Sequence, residues 1–199
     1  MKTLRLFIAL PISEEIRKRL KGLQEIGRGK SVSARWVAPD KIHLTLVFLG
    51  WTDPALQEKI EEEVDEGARL SPPFTLHVGG LGVFPRLQAP KVIWAGVEAA
   101  PDLIALQRQL SMRMAGLGFE LDARPYSPHL TLGRVESLPR KSLDSFAEWI
   151  TEGKDLEVGR CSVKEVVLMK SELQPGGSIY INLFASKLRG AESQRNSPL

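Results

Sequence analysis

The chain has 199 residues, of which 43% are apolar and 26% charged, and its formal net charge is +3. This is the balance of an ordinary globular protein, and it excludes a disordered, collagenous or disulfide-stapled chain. With Cys161 as its one cysteine the chain can form no internal disulfide, so a half-buried free thiol and a reducing cytoplasm are expected.

The first apolar run, Leu6 to Leu10, reads as a strand; it is too short to span a membrane and lacks a leader-peptide cleavage pattern. Ser13 then caps a helix with Glu14 and Glu15 in its first turn, and Ile16, Leu20, Leu23 and Ile26 or Gly27 form its stripe. A loop leads to His43-Leu44-Thr45-Leu46, a strand. Asp53-Pro54 opens a second helix with Leu56, Ile60 and Val64 on its apolar side. Phe74 to Val78 and Leu81 to Phe84 read as two closing strands.

The same order then recurs. Val92 to Val97 is a strand, starting 86 positions after Leu6. Pro101 opens a helix striped by Leu103, Leu106, Leu110, Met114 and Leu117. His129-Leu130-Thr131-Leu132 repeats the earlier tetrapeptide, 129 − 43 = 86 positions on. Leu143, Phe146, Ala147 and Ile150 mark a helix that Gly153 stops. Strands over Leu156 to Cys161, Val163 to Met169 and Ser178 to Ala185 close the second unit, the last two joined by a turn at Gln174 to Gly177.

This duplication predicts an α+β fold of two pseudo-symmetric lobes. Each is a mostly antiparallel sheet with helices on the outer face, and a cleft lies between them. Residues 1–188 would form this bilobal domain of two similar halves, and 189–199 a frayed tail. No coiled coil or partner helix is evident, so a monomer is expected.

The repeated tetrapeptide carries the chemistry. Residues i and i+2 of a strand share a face, so each motif sets an imidazole beside a hydroxyl and turns its leucines away. Two such edges face to face make a pocket of two histidines and two threonines. Imidazole gives and takes protons near neutrality, and hydroxyls donate to phosphate oxygens. This is equipment for acid–base chemistry on a phosphoester, with no metal or cofactor required.

The paired motifs resemble the His-x-Thr/Ser-x signatures of the two-histidine phosphoesterases. With Arg5 to Pro11, Arg35-Trp36-Val37, Phe48-Leu49-Gly50, Phe84-Pro85, Ser127-Pro128, Arg134 and Lys170 to Tyr180, the chain is similar to the bacterial and archaeal RNA 2′,3′-cyclic phosphodiesterases, also called 2′-5′ RNA ligases. The resemblance implies an RNA 3′ end closed as a 2′,3′-cyclic phosphate and opened to a 2′-phosphate. It implies His43 as proton donor, His129 as proton acceptor, Thr45 and Thr131 as donors to the phosphoryl oxygens, Arg134 as a phosphate contact and Phe48 as a base-stacking residue. Ligation in 2′-5′ linkage, another small cyclic phosphate and a non-catalytic RNA-end binding module are the alternatives. Tyr180 and Ser171 are weaker cleft candidates. His77, with Gly79 where a threonine would stand, serves as the contrast: a structural or solvent-facing residue.

Overall fold

The computed structural model describes residues 3–30, 32–120, 122–174 and 177–190. In chain order the elements are β1 (Leu4–Pro11), α1 (Glu14–Gly29), β2 (Ser33–Trp36), β3 (His43–Thr52), α2 (Gln57–Leu70), β4 (Phe74–Phe84), β5 (Val92–Val97), α3 (Pro101–Gly116), β6 (His129–Ser137), α4 (Leu143–Glu152), β7 (Glu157–Val163), β8 (Glu165–Gln174) and β9 (Gly177–Lys187). Local chemistry accounts for the helix starts. Ser13 Oγ accepts from the Ile16 amide at 3.4 Å. Asp53 caps a single 3-10 turn at Pro54–Leu56, so α2 begins only at Gln57, later than the Asp-Pro pair predicts.

The strands lie in the order β7-β4-β5-β6-β3-β1-β8-β9, all recorded pairings being antiparallel, with β2 added to β6. The two lobes meet at β3 and β6, which pair at Leu44 and Leu130. This is the expected α+β architecture, but its parts are distributed differently. β4 joins β5 and β7 rather than closing the first lobe, and β8 with β9 joins β1 rather than closing the second. The helices cross over too. α1 lies against β7, β6 and β2, whereas α3 lies against β3 and α2. Each lobe is therefore built from both halves of the chain.

The register also corrects the repeat. Ala9 pairs with Thr45 and Trp94 with Thr131, so these strands are offset by 94 − 9 = 85 positions, not 86. The segment from Phe74 to Phe84 is one strand with an irregularity between Gly79 and Leu81, not two. Gly80 absorbs that irregularity at φ +73, a value open to glycine at little cost. The helix-facing leucines, isoleucines and valines form the main core, which includes Leu6, Ile8, Leu44, Leu46, Leu130, Leu132 and Phe146. Cys161 is buried, at 2% exposure, rather than half-buried, and its sulfur accepts from the Ser13 amide at 3.1 Å. Gly27, not Ile26, continues the α1 stripe; an added Cβ would meet the rings of Trp36 and Trp149. None of the described helices is long and apolar enough to cross a membrane. The tail beyond Gly190 and the turn residues Pro175 and Gly176 lie outside the described residues.

Candidate active site

Both motifs open the strands that meet at the lobe junction. Leu44 and Leu130 are partners and fully buried, as are Leu46 and Leu132 to within 3%. In an antiparallel pair that register sets His43 across from Thr131 and His129 across from Thr45. Directly opposed residues have Cβ atoms about 4.5–5.5 Å apart, and diagonal ones about 7–8 Å. Each histidine thus has the other motif's threonine as its cross-strand neighbour, and the two imidazoles stand on a diagonal of the same face.

The two rings are held alike. Nδ1 of His43 lies 2.8 Å from the Lys41 carbonyl, and Nδ1 of His129 lies 2.8 Å from the Ser127 carbonyl. A carbonyl only accepts, so Nδ1 carries the proton of each neutral ring. Nε2 is then the atom that accepts a proton and, once charged, donates one.

Their surroundings differ. Phe7 stacks on His43 at 4.8 Å and 27°, and Tyr180 meets it edge-on at 5.0 Å and 90°. Phe7 belongs to a small apolar cluster with Ala9, Val167, Met169 and Tyr180 on the cleft face. This burial pushes the His43 imidazole below its ordinary range, outweighing the Lys41 carbonyl bond, which acts in the opposite direction. His129 has Phe84 edge-on at 5.1 Å and Trp94 at 6.4 Å. Tyr126, whose phenol burial pushes upward, donates to the Thr45 carbonyl at 2.9 Å.

Phe48 and Arg134 each stand five residues beyond a motif histidine, an odd offset that regular alternation would turn into the core. Both reach the cleft face through a β-bulge. Leu46 is the extra residue between the pairs Thr45–Ala9 and Val47–Ile8, and Leu132 between Thr131–Trp94 and Gly133–Ile93. Phe48 consequently pairs with Phe7 and is 48% exposed, on the cleft side rather than in the core. Arg134 pairs with Val92, is exposed and has no ion pair among the described residues. It lines a groove of about 830 Å³ with Lys91, Glu136 and Arg140.

Two residues missed in the sequence hold these bulges. Gln24 on α1 is 1% exposed; its amide donates to the Val37 carbonyl at 2.7 Å and to the Leu132 carbonyl at 2.8 Å. Gln107 on α3 reaches the Leu46 carbonyl at 3.4 Å and Ser111 Oγ at 2.9 Å. The helix of each half thus serves the bulge in the other. A glutamine four residues after an apolar stripe position, Leu20 or Leu103, was the available signal: an uncharged polar group where a core residue belongs.

Ser171 is buried and accepts from the Arg5 guanidinium at 3.1 Å. His77 sits away from the motifs, 3.5 Å from Glu98.

The family model of the 2′-5′ RNA ligase superfamily matches residues 12–175. A protein of Methanothermobacter thermautotrophicus named RNA 2′,3′-cyclic phosphodiesterase is 36% identical over 184 residues, 92% of this chain and 98% of that one. One of the same name from Thermotoga maritima is 32% identical, across 94% and 97% of the two chains. A crystal structure from Thermus thermophilus superposes with a TM-score of 0.81 at 29% identity, covering 94% of this chain and 100% of that one. Escherichia coli LigT superposes at 0.74 with 26% identity, covering 94% and 99%. With both motifs at the junction of the lobes and this match along most of its length, the chain belongs to the 2′-5′ RNA ligase superfamily.

Proposed function

We propose that this protein hydrolyses RNA 2′,3′-cyclic phosphate ends to 2′-phosphomonoesters. The observation that carries the reading is the crossed arrangement of two histidines and two threonines about the Leu44–Leu130 pair. His129 Nε2 takes a proton from water as its oxygen bonds to phosphorus. The bond from phosphorus to the 3′ oxygen breaks in line, and His43 Nε2 gives that oxygen its proton. The product is a 2′-phosphate beside a 3′-hydroxyl. The donor and acceptor roles come from the family resemblance, since the repeat itself is symmetric.

In the free enzyme burial disfavours the protonated form of the His43 imidazole. The negative charge of the bound phosphate restores its proton, so a substrate anion charges its own acid. Thr45 and Thr131 donate to the non-bridging oxygens, where negative charge gathers. Arg134 contacts phosphate through its planar fork, and Phe48 stacks on the terminal base. Side chains alone supply acid, base and charge stabilisation, so the reaction runs without a metal. Escherichia coli LigT was crystallised in complex with 3′-AMP, which supports a nucleotide as the kind of ligand this chain takes. An RNA 5′-hydroxyl attacking the cyclic end in place of water uses the same groups: it gives its proton to His129, the bond from phosphorus to the 3′ oxygen breaks as before, and the product is the 2′-5′ linkage of the family's description. A monomer acting in the cytoplasm is the setting we assign.

An oligonucleotide ending in a 2′,3′-cyclic phosphate tests the reading. Turnover to the 2′-phosphate, insensitive to chelator and lost in His129→Ala, is expected. Equal turnover by wild type and His129→Ala would defeat the enzymatic reading, and loss with chelator would defeat the metal-free scheme.

A further inference from the structure

Trp51 is the most exposed aromatic residue of β3, at 64%, and neither motif uses it. Its register places it on the cleft face. Leu49 is an extra residue between the pairs Phe48–Phe7 and Gly50–Leu6, and Trp51 follows as the partner of Arg5. Arg5 belongs to the same face as Phe7, since its guanidinium lies 4.7 Å over the Phe48 ring and donates to Ser171. From His43 outward along one strand, the cleft face therefore presents His43, Thr45, Phe48 and Trp51.

Trp51 is the penultimate residue of β3, so its exposed indole stands at the outer end of the strand that carries His43. Its setting identifies the occupant. The Arg5 guanidinium lies over one exposed ring, Phe48, and Arg5 is the strand partner of the other, Trp51, which sets a positive charge for a phosphate backbone beside flat surfaces for bases. Phe48 and Trp51 pair with Phe7 and Arg5, two residues apart on β1, so they stand about 7 Å apart along the sheet, about two stacked nucleotide steps at 3.4 Å each. A protein partner would need apolar area around the indole, but its cross-strand neighbour is the Arg5 cation.

We infer that Phe48, Arg5 and Trp51 form a track for the RNA preceding the cyclic end, with Trp51 stacking a base upstream of the terminal nucleotide. This rests on the reading of the cleft as an RNA-end site and extends it: the enzyme prefers a strand to a mononucleotide, and the strand leaves the cleft over β3 rather than along the basic groove at Arg134.

The test compares kcat/KM on adenosine 2′,3′-cyclic phosphate with that on a dinucleotide and on longer oligonucleotides carrying the same end, for wild type, Trp51→Ala and Trp51→Phe. Wild type should gain in kcat/KM with length. Trp51→Ala should lose roughly five- to hundredfold of that gain, mainly in KM, and Trp51→Phe should keep most of it, as base stacking tolerates any aromatic ring. Quenching of tryptophan fluorescence by a 2′-phosphate-ended oligonucleotide, reduced in Trp51→Phe, gives a readout independent of turnover. Equal kcat/KM at all lengths in wild type, or a gain that survives in Trp51→Ala, would overturn the inference while leaving the phosphodiesterase reading intact. Turnover of none of these substrates by wild type would overturn that reading itself.

Discussion

The two lobes place the same device at the cleft and then differ at one equivalent position. After each histidine come a threonine, a bulged leucine and, at the fifth residue, a side chain returned to the cleft face. In the lobe of β3 that side chain is Phe48; in the lobe of β6 it is Arg134. Even the glutamines that hold the bulges are duplicated, as the buried Gln24 and the part-buried Gln107. On the proposed reading the proton-transfer groups are common to both sides, and the asymmetry a hydrolysis needs comes from the neighbours: Phe7 stacked on the buried His43 with Phe48 beyond it, against the cationic Arg134 beyond His129.

The largest expected effect breaks the shared part. His43→Ala and His129→Ala should each lower kcat by about 10²–10⁴-fold with the fold retained, as measured by steady-state kinetics alongside circular dichroism. A loss in one lobe alone would show that the reaction uses a single histidine. Next come the divergent positions. Arg134→Ala should lower kcat/KM by about ten- to hundredfold through loss of charge-assisted bonds, and added salt should affect the variant less than wild type. Phe48→Leu should raise KM and leave that salt dependence unaltered, so exchanging the two outcomes would reverse the division of labour.

Smaller effects sharpen the comparison of the bulges. Gln24→Leu strands the Val37 carbonyl and removes one of two donors to Leu132, and should cost about 1–3 kcal/mol in urea unfolding. Gln107→Leu, which gives up a 3.4 Å contact, should cost less. The smallest expected change is in the pH profile. As proton donor, His43 is active when protonated, and burial lowers its pKa in the free enzyme. The alkaline limb of kcat/KM should therefore fall at lower pH than the alkaline limb of kcat, where bound phosphate supports the charge. Coincident limbs would remove the role given to the substrate anion.

Much of this was legible from residues alone because it follows periodicity. The stripe at Ile16, Leu20 and Leu23, the cap at Ser13 and the alternation of His43, Leu44, Thr45 and Leu46 each rest on spacing within one element, and each stands as read. The facing of Phe48 does not follow from alternation, for a physical reason: a bulge inverts facing by one residue without any change in composition. Strand partnership was hidden for another. β4 carries the same apolar pattern whether it pairs with β1 or β5, and only long-range geometry chooses between them. Trp51 went unremarked because its facing depends on a second irregularity further along β3.

The exchange of β4 and β8 between lobes has a consequence for how the molecule can be taken apart. A fragment ending near Phe84 keeps β1 and β3 but leaves β4 with neither of its neighbours, and the complementary fragment carries β8 and β9 with no β1 to receive them. Each would expose long unpaired edges that invite association. Cutting the chain between Pro85 and Lys91 should therefore yield two pieces that refold as a complex or aggregate, but not two independent lobes. Such interlocking is what fusion of a strand-swapped pair of ancestral copies would leave behind.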